Sequence, residues 1–315
     1  MTDAATVFVS RRLPGGALDR LGERHDVEVW PERVPPPASE LAARAADSEG
    51  LLTLLTDAVT ADVIAAAPRL RAISNYAVGV DNIDVAAATE RGIPVGHTPD
   101  VLTDTTADLA LALMLGASRR LVEGDALVRR GEWLTWEADL LMGYDLHHST
   151  VGVVGMGRIG RAVARRVEGF RAEAIHSGRR GGVPLEELLE RSDFVTLHCP
   201  LTPDTRGLID AQALARMKPT AYLVNTARGP IVDTAALIAA LDEGEIAGAA
   251  LDVTDPEPLP GGHPLLEAPN LLVLPHLGSA THATRERMAD LAVGNLLAGL
   301  SGARMPHCVN PEVYG

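Results

Sequence analysis

Residues Thr150-Val151-Gly152-Val153-Val154-Gly155-Met156-Gly157-Arg158-Ile159-Gly160 read as a strand, a tight turn and the start of a helix. The G-x-G-x-x-G spacing has a mechanical purpose. Gly155 permits the turn, Gly157 lets a pyrophosphate approach the backbone, and Gly160 lets the helix close onto the strand. Phosphate would then sit on exposed amides, those of Arg158 and Ile159 among them, at the positive end of the helix dipole. A helix over 161–168 and a further strand follow, so the motif stands in a βαβ context.

The end of the next strand selects the dinucleotide. NAD enzymes carry an acid there, about 20 residues past the motif, to hold the ribose 2′-hydroxyl. This chain has His176-Ser177-Gly178-Arg179-Arg180 and no acid. Ser177 can donate one hydrogen bond to a 2′-phosphate. Arg179 can grip it bidentately, with Arg180 as an auxiliary cation. NADP(H) is the expected cofactor, NAD(H) remaining usable; the plainer reading is a solvated arginine pair on a loop.

Three other segments place polar residues just after a strand, the end at which open α/β sheets bind ligands. They are Asn225-Thr226-Ala227-Arg228-Gly229, Asp252-Val253-Thr254-Asp255-Pro256-Glu257-Pro258 and Leu274-Pro275-His276-Leu277-Gly278-Ser279. Each has a plain structural reading: the arginine a helix cap, the glutamate a solvated loop residue, the histidine a structural strand-end group. No metal signature appears, with no H-E-x-x-H and no Cys/His cluster. His147 and His148 are adjacent and would point apart on a strand.

The elements that must carry these segments alternate between Val/Ile/Leu-rich runs and Ala-rich amphipathic stretches, which indicates βαβ units and buried parallel sheets. Strands are expected at 7–10, 27–30, 51–53, 72–75 and 94–96. A second series is expected at 151–154, 174–176, 194–198, 221–225, 248–252 and 271–274. Two series mean two Rossmann-like α/β domains. Between them, 104–130 is apolar almost all round from Ala107 to Gly116, so it is expected as a buried helix between the domains or across a dimer interface. The last helix, 284–300, is expected to return to the first domain. That makes a discontinuous domain of 1–100 and 283–315 and a dinucleotide-binding domain of 101–282.

Composition limits the partners. Across 315 residues the formal net charge is −14, and the arginine pairs (Arg11-Arg12, Arg119-Arg120, Arg129-Arg130, Arg165-Arg166) lie scattered among acids. We read most of these pairs as solvated helix faces, not as a groove for nucleic acid or an anionic membrane. Two cysteines are too few for a disulfide framework. Met1-Thr2-Asp3-Ala4 lacks the order of a secretory signal and no apolar run reaches bilayer length, so a cytoplasmic setting is expected.

Taken together, the sequence resembles the D-isomer-specific 2-hydroxyacid dehydrogenase family over nearly its whole length, and within it the glyoxylate/hydroxypyruvate reductase branch. The residues that carry the resemblance are Val78-Gly79-Val80-Asp81-Asn82, Thr98 to Asp108, the Gly155 loop, Ser177-Gly178-Arg179, Leu251 to Pro260 and Pro275 to His282. The resemblance implies a flavodoxin-like substrate domain, an NAD(P)-binding Rossmann domain, and an active site in the cleft between them. It implies reduction of small 2-keto acids, glyoxylate to glycolate and hydroxypyruvate to D-glycerate.

In that scheme His276 is the acid/base that protonates the carbonyl, Glu257 its carboxylate partner, and Arg228 the cation that binds the substrate carboxylate. The amides of Val78 and Gly79 hold the carboxylate from the first domain. Cys199, Pro200 and Thr205 match a loop over the cofactor. Thr226, Ala227 and Asp252 match positions near the nicotinamide, and Gly278 and Ser279 match the loop after the catalytic histidine. Thr105, or its neighbour Thr106, matches a hinge position facing the cofactor. Trp133 and Trp136 fall in a dimer arm, where Trp136 either closes the neighbouring subunit's pocket or packs in the dimer core; a homodimer is implied. Cys199 has no His/Asp relay near it and is not read as a nucleophile.

One departure stands out. After Arg180 the chain runs Gly181-Gly182-Val183-Pro184-Leu185 straight into a helix, where relatives carry about ten more residues on the adenine side. Alternatives remain at this stage. One is an NAD-linked dehydrogenase of another acid, such as phosphoglycerate or formate. The first usually carries a regulatory C-terminal domain, and the second needs no carbonyl protonation and so no Glu257. The other alternative is a dinucleotide-sensing corepressor or scaffold, which would bind the cofactor without turnover.

Overall fold

The computed structural model describes residues 4–179 and 181–315. Eleven strands and eleven α-helices follow one another in near-strict alternation among them. The first series is β1 (Thr6–Val9), α1 (Ala17–Gly22), β2 (Asp26–Val29), α2 (Ala38–Asp47), β3 (Gly50–Thr53), α3 (Ala61–Ala65), β4 (Ala72–Asn75), α4 (Val85–Glu90) and β5 (Val95–Gly96). Two helices, α5 (Thr103–Ser118) and α6 (Leu121–Arg129), come next. The second series is β6 (Thr150–Val154), α7 (Arg158–Glu168), β7 (Glu173–Ser177), α8 (Leu185–Arg191), β8 (Phe194–Leu197), α9 (Ala211–Ala215), β9 (Tyr222–Asn225), α10 (Thr234–Asp242), β10 (Gly248–Leu251) and β11 (Leu271–Val273), before α11 (His282–Leu300).

The chain divides into two compact units, 1–102 with 280–315, and 103–279. In the first, five parallel strands run in the order β2-β1-β3-β4-β5. The period-2 alternation of a strand splits its side chains between two cores. Val7, Val9, Leu52 and Ala72 face α1 and α11, burying Met288, Val293 and Leu296. Phe8, Leu51, Ile73 and Val95 face the other layer, with Leu41, Val63, Ile64 and Ala88.

The second unit holds six parallel strands in the order β11-β10-β9-β8-β6-β7. Strand order reverses between β6 and β8, which in a doubly wound sheet is where a crevice opens at the carboxyl ends. Val195, Leu197, Leu223 and Leu251 pack toward α8, α9 and α10. Val151, Val153, Val224 and Ala250 pack toward α5 and α7.

Three expectations need correction. The 104–130 segment is two helices, broken at Arg120, whose φ is +51°. Its first half is buried because Ala107, Ala110, Leu113 and Met114 form part of the second unit's own core, against α7, β9 and β10. An all-round apolar surface arises here from sheet on one side and helix on the other. Arg11 is not a solvated cation: only 9% exposed, it pairs with buried Asp57 at 3.1 Å and donates to Thr56 Oγ1 and the Ser10 carbonyl. His147 and His148 lie in a turn, not on a strand, with ring centroids 5.2 Å apart.

No helix among the described residues is long and apolar enough to cross a membrane.

Candidate active site

The carboxyl ends of β6 to β11 carry the polar segments of the second unit. The glycine loop is shaped by close approaches. A β-carbon at Gly160 would lie 2.2 Å from the Gly155 carbonyl oxygen, so only glycine lets α7 start so near the strand. Gly155 has φ +97°, and a β-carbon there would lie 2.6 Å from the Cys199 amide nitrogen. Above Gly157, by contrast, nothing lies within 4 Å, and Gly157 and Arg158 are exposed. A phosphate therefore has both the space and the amides of a helix N-terminus, and the loop fits a dinucleotide.

The Gly155 amide donates to the Ser177 carbonyl at 2.9 Å, which draws the end of β7 to the glycine turn. Ser177 is half-buried, and Gly178 and Arg179 are exposed beside it. Arg180 lies outside the described residues. Below this, Thr205 Oγ1 donates to the Pro200 carbonyl at 2.7 Å and accepts from the Thr202 amide at 2.8 Å, closing the loop after β8. Burial pushes the Cys199 thiol above its usual range, which suits a packing role and not a thiolate.

Arg228 sits in a turn stapled by Asn225. The buried Asn225 side chain accepts from the Ala227 amide at 3.0 Å and donates to the Arg228 carbonyl at 2.9 Å. At Gly229 a β-carbon would come within 1.9 Å of the Thr254 carbonyl oxygen. Glycine there brings the Arg228 turn against the loop that carries Glu257.

His276 Nδ1 and Glu257 Oε1 are 2.6 Å apart, with 23% and 27% of the two side chains exposed. The bond uses one ring nitrogen, Nδ1, and leaves the Nε2 edge of the ring outside it. His276 is held at φ +55°, the left-handed region, by Asp252. The backbone carbonyl of Asp252 accepts from the His276 amide at 2.9 Å. Its carboxylate accepts from the Leu277 amide at 2.6 Å and the Gly278 amide at 2.8 Å. Burial raises the Asp252 carboxyl, and the Leu277 amide, His276 and the Gly278 amide oppose that rise. Thr106 Oγ1 adds a bond to the Gly278 carbonyl at 3.0 Å, whereas its neighbour Thr105 is only half-buried.

In the first unit, Val78 and Gly79 lie half-buried after β4. Trp136 is 79% exposed. Among the described residues no group of three or more His, Cys, Asp or Glu side chains is arranged to hold a metal ion.

One residue at the strand ends of the second unit was not singled out from sequence. His198, at the end of β8, bonds Thr196 Oγ1 at 2.9 Å through Nε2 and approaches Thr226 Oγ1 at 3.4 Å through Nδ1. Its position one residue past a strand, beside Cys199-Pro200, was the available signal.

Comparison with known proteins fits this architecture. Residues 111–278 match the NAD-binding domain of the D-isomer-specific 2-hydroxyacid dehydrogenases. A glyoxylate reductase of Korarchaeum cryptofilum is 49% identical over 319 residues, covering 98% of this chain and 96% of the relative. A solved structure from Thermus thermophilus is 50% identical with a TM-score of 0.91, covering 96% of this chain and 99% of that one. The NADPH-dependent glyoxylate/hydroxypyruvate reductase of Sinorhizobium meliloti, solved with NADP and malonate, is 34% identical with a TM-score of 0.86 and 97% coverage of both chains. The chain belongs to the D-isomer-specific 2-hydroxyacid dehydrogenase family. It is accordingly an oxidoreductase that uses a nicotinamide dinucleotide on 2-keto acids.

Burial pushes the His198 pKa down to about 4. The unfolded chain binds a proton there below pH 6.5 and the folded chain does not until about 4. His198 therefore removes stability as pH falls through that window, by up to about 1.4 kcal/mol per pH unit. The variant His198→Asn should lose this slope: its urea midpoint, relative to the parent, should rise between pH 7 and pH 4.5. Parallel midpoints across that range would show that His198 titrates normally.

Proposed function

We propose that the chain is an NADPH-preferring reductase of small 2-keto acids, converting glyoxylate to glycolate and hydroxypyruvate to D-glycerate. The observation that carries this reading is the 2.6 Å His276–Glu257 pair at the end of β11, with Nε2 left for a substrate. The relatives named glyoxylate reductase, at 44–49% identity, support the substrate class.

The bound dinucleotide supplies the hydride. His276 gives the carbonyl oxygen a proton from Nε2 while Glu257 holds Nδ1 and fixes the ring plane. Arg228 binds the substrate carboxylate and draws charge onto the carbonyl oxygen. The Val78 and Gly79 amides are further ligands of that carboxylate. Gly155, Gly157, Arg158, Ile159 and Gly160 hold the pyrophosphate. Ser177, Gly178 and Arg179, with Arg180, receive the 2′-phosphate. Cys199, Pro200, Thr205, Thr226, Ala227, Asp252, Gly278, Ser279 and Thr105 line the remainder of the dinucleotide.

The preference for NADPH rests on the missing acid after β7 and on the exposed Arg179. A guanidinium beside a dianionic phosphate gains two charge-assisted bonds, and none with a bare ribose.

We also read the chain as a homodimer. No residue of α6 is buried, and Leu121, Val122 and Val128 there are more than half exposed, as are Trp133, Leu134, Trp136 and Met142 beyond it. So much apolar surface in one stretch of chain suits a second copy of the same chain as its cover. Sedimentation should give a dimer at micromolar concentration, and Trp136→Asp should shift it toward monomer. A monomeric parent chain would remove this reading.

His276→Ala should lower kcat by roughly 10²–10⁴-fold while leaving the NADPH dissociation constant within about twofold. Undiminished turnover of glyoxylate would end the assignment of the proton donor. Arg179→Ala should weaken NADPH by roughly tenfold or more and NADH hardly at all, as expected for losing a charged hydrogen-bond donor. Equal weakening of both cofactors would show that Arg179 does not meet the 2′-phosphate. A steady-state panel of glyoxylate, hydroxypyruvate and pyruvate against both cofactors tests the whole reading, and binding without turnover would favour a dinucleotide sensor.

A further inference from the structure

In the loop after β4 three consecutive carbonyls, those of residues 77, 78 and 79, each accept a hydrogen bond. The Ala77 carbonyl accepts from the Thr98 amide at 2.8 Å. The Val78 carbonyl meets His97 Nδ1 at 2.9 Å. A carbonyl only accepts, so His97 donates there and its Nδ1 carries the proton. The Gly79 carbonyl accepts from Asn75 Nδ2 at 2.9 Å.

A trans peptide sets each N–H opposite the C=O of the same plane. Capturing the carbonyls of 77 and 78 therefore turns the amides of Val78 and Gly79 the other way, and capturing that of 79 does the same for Val80. Among the described residues, neither the Val78 nor the Gly79 amide donates to a protein oxygen. Consecutive amides presented in this way form an anion-binding nest.

The Asn75 side chain and the His97 backbone are themselves held. Asn75 is fully buried; it also donates to Asn82 Oδ1 at 2.9 Å, and its Oδ1 accepts from Thr53 Oγ1 at 3.2 Å. Asn82 in turn donates to the carbonyls of Leu54 and Asp57 at 3.0 and 2.9 Å. The backbone of His97 donates to the His307 carbonyl at 3.1 Å and accepts from buried Asn295 at 2.8 Å. Asn295 closes the frame by accepting from the His307 amide at 3.0 Å.

We infer that His97 and Asn75 are positioning residues for substrate binding: His97, by holding the Val78 carbonyl, aims the Gly79 amide at the substrate carboxylate, and Asn75, by holding the Gly79 carbonyl, fixes the next peptide plane and so the conformation of Gly79. The inference rests on the proposed role of the Gly79 amide and goes beyond it by naming what sets its direction. Neither side chain touches the substrate, so their effect is on affinity for the carboxylate and not on proton transfer.

The test uses the full-length chain with NADPH and compares Asn75→Asp, His97→Ala and His97→Asn. Asn75→Asp keeps the shape but replaces the donor with an acceptor that repels the Gly79 carbonyl. His97→Asn puts an amide donor close to the place of the imidazole Nδ1. For Asn75→Asp and His97→Ala, the KM for glyoxylate and the inhibition constant of oxamate, an unreactive carboxylate analogue, should each rise roughly tenfold or more. In both variants kcat and the NADPH dissociation constant should stay within about threefold, and His97→Asn should recover most of the lost affinity. Unchanged KM and oxamate inhibition in Asn75→Asp and His97→Ala would overturn the inference. So would a parallel loss of NADPH affinity, or equal losses in both His97 variants, since each marks a general structural role. If Asn75→Asp fails to fold, the His97 pair decides alone. A parent enzyme that turns over glyoxylate while the variants match it sinks only this inference, whereas a parent with no glyoxylate turnover and no oxamate inhibition sinks the underlying reading.

Discussion

Asp252 is 1% exposed, yet both its carboxylate oxygens accept backbone amides and its own carbonyl accepts a third. Those three bonds fold residues 276–278 back over the end of β10. A non-glycine residue in the left-handed region costs roughly 1–2 kcal/mol. Bonds to an ionised acceptor contribute roughly 1.5–3 kcal/mol each, so two of them outweigh that cost. The balance explains how an imidazole can be held in a strained backbone position. It also explains why the ring meets Glu257 at hydrogen-bond distance: the turn, not the side-chain rotamer alone, decides where Nδ1 points. An apolar residue at 252 would leave the Leu277 and Gly278 amides without this acceptor.

The first unit uses the same kind of device with different parts. Buried Asp57 takes Ser10 Oγ, the Leu54 amide and the Arg11 guanidinium, joining the ends of β1 and β3. Asn82 then ties the 54–57 turn to Asn75 and so to the loop after β4. A buried ion pair is weak evidence of net stabilisation, because desolvation offsets the Coulomb attraction. Its use here is geometric. Ends of parallel strands have no partner strand beyond them, and fixed side-chain acceptors replace the missing ladder. In both units the buried carboxylate stands at the carboxyl ends of the strands, the end at which ligands bind in such sheets.

Much of this is legible in the sequence. All eleven strands fall within about a residue of their expected positions, because buried parallel strands are short apolar runs bounded by turn residues. The glycine spacing of 155–160 was legible for a related reason: close backbone approaches leave a trace in composition. What failed was of another kind. The break at Arg120 carries neither proline nor glycine, so periodicity alone ran the helix through it. The burial of α5 was correctly expected and wrongly attributed, since a sequence shows that a face is covered but not by what. His198 and Asn75 were visible only as polar residues near strand ends, and Asp252, matched to the nicotinamide side, gave no sign of the amides it holds. Their hydrogen bonds join segments two to 28 residues apart, and no local pattern encodes those pairings.

The short connection after β7 is a further case where composition and geometry explain each other. Gly181 and Gly182 have φ of +104° and +101°, and a β-carbon at Gly182 would lie 2.0 Å from the His176 carbonyl oxygen. The Val183 amide donates to that same carbonyl at 2.8 Å. The chain thus doubles back on the end of β7 and enters α8 at once, with Pro184 as its N-cap. Two consecutive glycines are what make so tight a return possible, since L-residues rarely adopt that conformation. The connection is therefore a closed turn with its own hydrogen bond. Any discrimination between a ribose hydroxyl and a phosphate on this side must come from the few residues at the strand end and in the turn itself, which is why Arg179 carries so much of the proposed cofactor preference.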